Sequence, residues 1–360
     1  MASELYESRP EGRMANSLNG LGPAFDVVRR GVADGVLPTS VLAIASQRGL
    51  IAIEAYGATS IGARYLIASI TKPIFVASLL KLVERGLVLI NDPVARFIPS
   101  FGEGGRARVT LWHLLTHTSG LDDGPTMARL FATPADPDAL RATALNSPLL
   151  FAPGTQYAYC NASYIVMAEI IRAATGIDHD AHLEGTILRP LSMVDTTYVP
   201  PEDGRTQPVH RPDGTSDAGG STLHGLKFPA GGLWSTAADL ICFGQMLLGG
   251  GEREGVRILS RAAHRVMTQL HTEGIPTNNA DGTFASGYGL GLAKAVAHRW
   301  QAPSAELTSA DGYGHGGATG TLLWVEPEAD LVFVFLTNRL GLDSPQARLA
   351  LNAAIAAMTA

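Results

Sequence analysis

Strand-like segments lie near the two ends of the chain, and a long helical stretch separates them. The apolar runs Ser40–Ser46 and Leu50–Tyr56 flank a short polar turn, which indicates a β-hairpin. Two further β-type runs, Thr321–Val325 and Leu331–Thr337, follow only near the carboxyl end. Between them, from about residue 85 to residue 220, apolar residues recur mostly at helical spacing. The pattern predicts a sheet built from both ends of the chain, with a helical block inserted into it.

Helices at both ends complete this picture. A helical pattern starts at Pro23, and an alanine-rich one starts at Ser344. We therefore predict an α/β fold of the α+β kind, in which an antiparallel sheet is flanked by helices. Three parts are expected. They are a flexible leader over residues 1–19, a sheet domain over residues 20–66 and 225–360, and a mostly helical inserted domain over residues 67–224.

Composition narrows the classes of function. The 27 Lys and Arg residues against 33 Asp and Glu residues give a net charge of −6, which argues against a nucleic-acid-binding surface. Two cysteines, Cys160 and Cys242, are too few for a disulfide framework. No apolar run has the length of a membrane span, and we find no secretory signal. These features predict a cytoplasmic protein that does not bind nucleic acid and has no membrane span.

Lysine is scarce, and its positions are informative. The chain contains four lysines: Lys72, Lys81, Lys227 and Lys294. Two of them follow a serine in the pattern Ser-x-x-Lys, as Ser69/Lys72 and Ser78/Lys81. Residues three apart on a helix share one face, so each pair is a candidate for contact.

Local geometry favours Ser69 and Lys72 over the second pair. Pro73 belongs in the first turn of a helix, so the helix should begin near Ser69 and place its hydroxyl in the favourable field of the N-terminus. Ser78 then lies on the opposite side of the helix. A serine becomes a strong nucleophile when a base takes its proton, and a desolvated lysine is such a base. The alternative is a capping serine followed by a surface lysine.

Five motifs, in order, resemble the serine β-lactamase superfamily, and the similarity covers about residues 20–358. The segments are Ile67-Ala68-Ser69-Ile70-Thr71-Lys72, Leu114-Leu115-Thr116-His117-Thr118-Ser119-Gly120-Leu121, Pro153-Gly154 with Tyr159-Cys160-Asn161, Gly231-Gly232-Leu233-Trp234-Ser235-Thr236-Ala237, and Gly314-His315-Gly316-Gly317. They are most similar to the class C-like branch, which contains family VIII carboxylesterases, D-aminopeptidases and DD-peptidases. The resemblance implies a β-lactamase/transpeptidase-like fold with the active site between the sheet and the helical lobe.

The resemblance also implies roles for individual residues. Ser69 matches the acylated nucleophile, Lys72 its proton partner, and Tyr159 the tyrosine of the Tyr-x-Asn motif. A phenol titrates near 10, so it acts as a base only beside positive charge, which Lys72 would supply. Asn161 would hold the lysine and the acyl group of the substrate. The structural alternative is that Tyr159 packs in the core and Asn161 caps a helix.

The His315-Gly316-Gly317 segment stands where the family has Lys-Thr-Gly. By the same matching, the backbone N–H groups of Ser69 and Ala318 would hold the oxyanion. Two roles remain open for His315. It either assists proton movement or only hydrogen-bonds Tyr159.

Departures from the family pattern bear on the substrate. Gly316 replaces the threonine that helps to bind a carboxylate, Gly231 replaces an aromatic residue, and Trp234 replaces a lysine of the class C enzymes. The carboxylate anchor is therefore missing, unless Arg339 or Lys227 binds an anion. Both are otherwise expected to be solvated surface charges.

We expect a serine hydrolase that works through an acyl-enzyme. The leading function is a carboxylesterase of the family VIII type that acts on small neutral esters. The alternatives are a D-amino-acid peptidase or amidase, a β-lactamase, an acyltransferase that uses the same acyl-enzyme, and a penicillin-binding sensor without turnover. The expected partner is a small-molecule ester or amide. No metal and no organic cofactor is implied, and the sequence leaves the oligomeric state open.

Overall fold

The computed structural model describes residues 20–132, 136–217, 226–277, 287–295, 303–341 and 345–360. Its strands, in chain order, are β1 (Ser40–Ser46), β2 (Gly49–Tyr56), β3 (Tyr65–Leu66), β4 (Val209–His210), β5 (Ser216–Asp217), β6 (Trp234–Ser235), β7 (Glu252–Arg253), β8 (Val256–Arg257), β9 (Ala293–Lys294), β10 (Tyr313–Gly316), β11 (Leu322–Glu326) and β12 (Leu331–Thr337). Its helices are α1 (Gly22–Ala33), α2 (Thr71–Glu84), α3 (Leu111–Leu115), α4 (Gly124–Leu130), α5 (Pro137–Leu145), α6 (Ala162–Thr175), α7 (His179–Leu183), α8 (Ala237–Leu248), α9 (Arg261–Thr268) and α10 (Pro345–Met358). The predicted leader, residues 1–19, and the predicted helix start at Ser344 lie outside the described residues.

A six-stranded antiparallel sheet joins the two ends of the chain. Its strand order is β2-β1-β12-β11-β10-β9. The junction is the pair β1 and β12, in which Ser40 lies opposite Thr337. The expected hairpin is β1 and β2, and the expected carboxyl-terminal strands are β11 and β12. The prediction of an antiparallel sheet assembled from both chain ends is confirmed.

Alternating side chains make the sheet the middle of three layers. Along β12, Val332, Val334 and Leu336 belong to the apolar cluster on one face, and Leu331, Phe333 and Phe335 belong to the cluster on the other face. Helix α8 contacts the sheet through β1, β11 and β12 on the first face, while α1 and α10 pack together on the second. Because both faces of β12 are buried, its sequence is a nearly continuous apolar run.

Between β3 and β6 the described chain is mostly helical and packs on the first face of the sheet. One apolar cluster passes from β12 through α2 into α6, for example from Val334 to Ile74 and Val166. The division into a sheet domain and an inserted domain at residues 66/67 and 224/225 stays a prediction. In the described residues, no helix has the length and apolar character needed to cross a membrane.

Several helix boundaries differ from the sequence prediction. The helix expected from Ser69 begins as a 3-10 turn, Ala68–Ile70, before α2. Helix α7 is followed directly by a π-helical turn, Glu184–Leu188. Helix α4 was not expected at all, because its segment is short, begins with Gly-Pro and follows two aspartates.

Candidate active site

Ser69 lies on the 3-10 turn that leads from β3 into α2. Its neighbours Ala68 and Ile70 are buried, whereas Ser69 itself is half-buried. Ala68 has φ of 46°, a left-handed conformation that is uncommon for residues other than glycine. The strained residue directly before Ser69 turns the chain sharply, and such strain clusters at functional sites.

Lys72 is fully buried beneath Ser69, and all three of its N–H groups have acceptors. The Nζ atom donates to Ser69 Oγ at 3.0 Å, to Asn161 Oδ1 at 2.9 Å and to the Ala230 carbonyl at 2.7 Å. Burial lowers the pKa of Lys72 to about 7, against the opposing charge of Asp123. A neutral amine keeps two N–H groups, enough for Asn161 and Ala230. Its lone pair then faces the hydroxyl of Ser69.

The second Ser-x-x-Lys pair is not assembled in the same way. The Ser78 hydroxyl donates to the Phe75 carbonyl of its own helix at 2.7 Å. Lys81 donates to the Ile258 carbonyl at 2.6 Å and pairs with Glu84. The structure therefore brings Ser69 and Lys72 together and leaves Ser78 and Lys81 with separate partners.

Asn161 starts helix α6, but its side chain does not cap that helix. The carboxamide oxygen accepts from Lys72, and Nδ2 donates to Asp123 Oδ2 at 2.8 Å and lies 3.4 Å from Met127 Sδ. The sequence predicted that Asn161 holds both the lysine and the acyl group of the substrate. In this structure Asn161 accepts a hydrogen bond from the lysine. Both hydrogens of its amide nitrogen are directed at protein acceptors, Asp123 and Met127. The thioether is the weaker of the two acceptors.

Tyr159 lies on the open side of Lys72. Its ring stacks on His117 with centroids 4.4 Å apart, and Lys72 Nζ lies 4.8 Å from the centre of the ring. Although 39% of the Tyr159 surface is exposed, desolvation of its hydroxyl raises the pKa of Tyr159 well above 10, while a hydrogen bond with Ser69 acts in the other direction. The expectation that Lys72 lowers this pKa is not met, since the cost of burying a phenolate exceeds the stabilisation by neighbouring groups. The phenol therefore stays protonated.

Among the described residues, His315 hydrogen-bonds Tyr288 and not Tyr159. Its Nε2 lies 3.2 Å from the Tyr288 hydroxyl, which lies 3.1 Å from Nε2 of His117. At the far ends of this chain, Nδ1 of His117 accepts from the Cys160 N–H at 3.0 Å, and Nδ1 of His315 lies 2.7 Å from the Gly316 carbonyl. These four contacts connect the Tyr-x-Asn segment to strand β10.

Backbone groups at its two ends determine the direction of this chain. Because Nδ1 of His117 accepts a hydrogen bond, a neutral His117 carries its proton on Nε2 and donates it to Tyr288. Tyr288 then donates to His315, which carries its own proton on Nδ1 and donates to Gly316. Burial lowers the pKa of His315 to about 3, so both rings are neutral near pH 7. Of the two roles expected for His315, hydrogen bonding to Tyr159 is not observed, and the ring centroids are 6.1 Å apart.

Gly317 is the glycine that the site requires. A Cβ atom at this position would lie 2.5 Å from the Ile67 carbonyl oxygen and 2.1 Å from Thr321 Oγ1. Close contact with Ile67 brings the end of β10 against the turn that carries Ser69. At Gly316, by contrast, a Cβ atom would meet nothing closer than Pro303 Cβ at 3.4 Å, which is an ordinary contact.

Ala318 follows directly and is exposed. Its carbonyl accepts from the Gly341 N–H at 2.7 Å. Within the described part of the chain, the N–H of Ala318 donates to no backbone carbonyl. The amide is thus available for the oxyanion-binding role predicted from the sequence, and that role stays a prediction.

The two basic residues considered as anion ligands are directed elsewhere. Arg339 donates to the Val36 carbonyl at 3.3 Å, and Lys227 pairs with Asp180 at 2.5 Å. Trp234 is fully buried in β6, so its side chain is part of the core. At the described positions, no cluster of three or more His, Cys, Asp or Glu side chains could hold a metal ion.

Comparison with known proteins identifies the family. The family model described as Beta-lactamase matches residues 25–358. The chain belongs to the Beta-lactamase family. It is accordingly a serine hydrolase, as its motifs predicted, and it has the β-lactamase/transpeptidase-like fold.

Relatives within the Beta-lactamase family have different names. Protein Rv1367c of Mycobacterium tuberculosis is 29% identical over 312 residues, which is 76% of each chain. Esterase EstB of Burkholderia gladioli is 33% identical over 175 residues, 42% of this chain and 44% of EstB. The solved structure of EstCE1, described as a hydrolase with promiscuous acyltransferase activity, matches with a TM-score of 0.80 at 18% identity, over 95% of this chain and all of EstCE1.

Sequence reasoning missed three residues of the site. Asp123 directly precedes helix α4, Met127 lies on that helix, and Tyr288 comes from the segment before β9. Asp123 precedes Gly124-Pro125, and proline in the first turn is a signal for a helix start that could have located α4. No sequence signal links Tyr288 to the site, because the contact depends on how β9 and β10 pair.

Proposed function

We propose that this chain is a carboxylesterase of the family VIII type that acts on small neutral esters through an acyl-enzyme at Ser69. The observation that carries the proposal is the contact between Ser69 Oγ and Lys72 Nζ. In this contact a half-exposed hydroxyl meets a buried amine. The other N–H groups of the amine donate to Asn161 and to the Ala230 carbonyl. Acyl transfer needs such a nucleophile and base pair.

Acylation begins when neutral Lys72 takes the proton of Ser69. The Ser69 oxygen forms a bond to the ester carbonyl carbon, and the backbone N–H groups of Ser69 and Ala318 stabilise the negative oxygen of the tetrahedral intermediate. As the carbon–oxygen bond to the alcohol breaks, the proton on Lys72 passes to the leaving oxygen, with the Tyr159 hydroxyl as the intermediate carrier. The pKa of Tyr159 supports a carrier that remains a neutral phenol in the resting state.

Deacylation repeats these steps in reverse with water. Lys72 and Tyr159 accept a proton from the attacking water, and Ser69 takes a proton back when the acid product leaves. Neither half-reaction in this scheme uses a metal or an organic cofactor. In the scheme His315 transfers no proton. Its Nδ1 proton is donated to the Gly316 carbonyl, and its Nε2 accepts from Tyr288.

The preference for neutral substrates is proposed from the groups around Gly316. Glycine supplies no hydroxyl to a substrate carboxylate, and both Arg339 and Lys227 are engaged with other groups. The name of Esterase EstB, a partial match, supports an ester as substrate. We include a cytoplasmic location in the proposal, supported by the free thiols Cys160 and Cys242.

The test is a substrate comparison. Wild type and Ser69→Ala are assayed on a series of p-nitrophenyl esters of increasing acyl length and on a chromogenic cephalosporin. The proposal expects ester turnover that is lost in Ser69→Ala, with little cephalosporin hydrolysis. Fast cephalosporin turnover with slow ester turnover would identify a β-lactamase instead. A stable adduct without turnover would identify a sensor.

A further inference from the structure

Asp123 links the start of α4 to the start of α6 through hydrogen bonds with Asn161 and Ala162. It contacts neither Ser69 nor the amine of Lys72 directly. Its Oδ2 accepts from Asn161 Nδ2 at 2.8 Å, and its Oδ1 accepts from the Ala162 N–H at 2.8 Å. The second bond gives an acceptor to a backbone N–H in the first turn of α6. The Asn161 side chain, at the N-cap position, makes no such bond. Asp123 thus caps α6 from another part of the chain.

The first of these bonds has a directional consequence. A carboxamide has one accepting end and one donating end, whereas a carboxylate only accepts. With Asp123 on one side, Asn161 must turn its nitrogen towards the carboxylate. Its oxygen then points to Lys72, where it is found at 2.9 Å from Nζ. Without the carboxylate, the amide could rotate and present its N–H groups to the lysine.

We propose that Asp123 is a positioning residue whose carboxylate fixes the orientation of the Asn161 amide, so that the amide oxygen faces Lys72 and the lone pair of the neutral amine is left for Ser69. The inference rests on the proposed function, because it assigns to Lys72 the role of base. It concerns the arrangement of the amine, and it can be tested without turnover.

The charge of Asp123 also acts on Lys72, and it favours the ammonium over the neutral amine. Asp123 raises the pKa of Lys72, opposing the larger effect of burial. The other titratable groups that face Lys72 come from α6, from the segments before it and from β10: Cys160, Tyr159, Tyr164, His117 and His315. Burial raises the pKa of the thiol and of both phenols and lowers the pKa of both imidazoles, so all five are neutral near pH 7. Asp123 is therefore the negative charge that balances the ammonium.

The variant Asp123→Asn tests the proposal with little change in shape. Asn keeps an oxygen for the Ala162 N–H, but its own NH₂ group then faces Asn161 and favours the rotated amide. We expect kcat for ester hydrolysis to fall roughly tenfold to a hundredfold. On an Asn161→Ala background the same change should cost much less, because the residue through which Asp123 acts is gone. Asp122→Asn is the matched control, since the Asp122 side chain accepts from the Gly124 N–H in its own turn and from no other described residue.

The deciding measurement is the pKa of Lys72 itself. With four lysines in the chain, selective ¹³C labelling of the lysine ε-carbon gives a spectrum simple enough to titrate residue by residue. In Asp123→Asn we expect the Lys72 pKa to fall by on the order of one unit, because an opposing charge is lost and the rotated amide turns its N–H groups towards the ammonium. On the Asn161→Ala background only the loss of charge remains, so the fall should be smaller, and an equal fall on both backgrounds would overturn the positioning role. In Asp122→Asn it should stay near the wild-type value. In the wild type, the Asn161 side-chain amide protons should exchange slowly, a result that depends on no variant.

The outcomes separate this proposal from the proposed function. An unchanged Lys72 pKa in a folded Asp123→Asn protein overturns the positioning role, even if kcat falls, because a purely structural cap would produce that loss. Rapid exchange of the Asn161 amide in the wild type overturns it as well. If no ester is turned over, the proposed function fails while the titration still decides the role of Asp123.

Discussion

The Nζ atom of Lys72 lies 3.0 Å from Oγ of Ser69, and burial holds the pKa of this lysine near 7. An ordinary lysine is almost fully protonated at neutral pH. Because burial lowers this pKa, neutral Lys72 is accessible near neutral pH, and the neutral amine can accept the serine proton.

The first prediction concerns pH. Because the neutral form of Lys72 is the active one, kcat/KM on a neutral ester should rise with pH through about 7 and then level off. His315 should add no titration in this range, because its pKa lies near 3. The measurement is a pH-rate profile from about pH 5 to about pH 9, corrected for spontaneous hydrolysis.

Lys72→Arg is the companion variant for that profile. The guanidinium stays charged at every accessible pH, so the variant should be inactive throughout. A variant that kept the same rise in activity near neutrality would show that another group is the base.

The second prediction compares two adjacent glycines. Gly317→Ala forces a Cβ atom against the Ile67 carbonyl and should displace the end of β10 from Ser69, with loss of most activity. Gly316→Ala has room for its methyl group and should keep activity within a few-fold of wild type. Steady-state kinetics on one ester, with circular dichroism as a folding control, compares them. Equal losses in the two variants would contradict the packing argument.

A related change at Gly316 tests the substrate preference. Gly316→Thr adds a hydroxyl where family members with Lys-Thr-Gly have one. We expect kcat/KM for substrates bearing a carboxylate to rise by about tenfold relative to neutral esters, the effect of one hydrogen bond to a charged group. The measurement is the ratio of the two kcat/KM values in the variant and the wild type. An unchanged ratio would show that Gly316 does not control the preference.

The third prediction concerns the chain of neutral groups behind the site. Tyr288→Phe removes the hydroxyl between His117 and His315 and leaves both buried rings without that partner. The free energy of unfolding should fall by about 1–3 kcal/mol, measured by urea denaturation.

Tyr198→Phe is the control for that variant. Among the described residues, the buried hydroxyl of Tyr198 has no hydrogen-bond partner. Its removal should change the free energy of unfolding by less than about 1 kcal/mol. If the two variants lost equal stability, the proton arrangement derived for His117, Tyr288 and His315 would be incorrect.

The fourth prediction concerns Met127. Its Sδ lies 3.4 Å from Nδ2 of Asn161 and accepts one of the two amide hydrogens in a weak hydrogen bond. Met127→Ala should free that hydrogen for a carbonyl in the substrate's acyl group. We expect KM to fall for esters with an amide in the acyl chain, while plain acyl esters of the same length change little. A parallel change for both substrate sets would mean that the variant only enlarges the cleft.

Much of the fold could be predicted because burial and periodicity agree in the sheet. Leu331–Thr337 is apolar on both faces, since α8 covers one face of β12 and α10 the other. Helix α4 escaped prediction because the short segment from Gly124 to Leu130 has few apolar residues and is stabilised by its tertiary contacts.

For the site, spacing along the chain predicted the contact of Ser69 with Lys72, because both lie within one helical turn. It could not predict the orientation of His315 or the partners of Asn161. These depend on Tyr288 and Asp123, which are distant in sequence and meet the site only after the sheet and α4 have formed. The raised pKa of Tyr159 could not be predicted from the sequence either, because desolvation depends on how the folded chain packs around the hydroxyl.

The central claim is a covalent acyl-enzyme at Ser69. The most direct measurement is rapid acid quenching during turnover of a p-nitrophenyl ester, followed by intact-mass analysis and peptide mapping, with Ser69→Ala and Ser78→Ala alongside. We predict one acyl group per chain, located on the peptide that contains Ser69, absent in Ser69→Ala and retained in Ser78→Ala. Turnover with an acyl group on another residue, or labelling that disappears only in Ser78→Ala, would contradict the account.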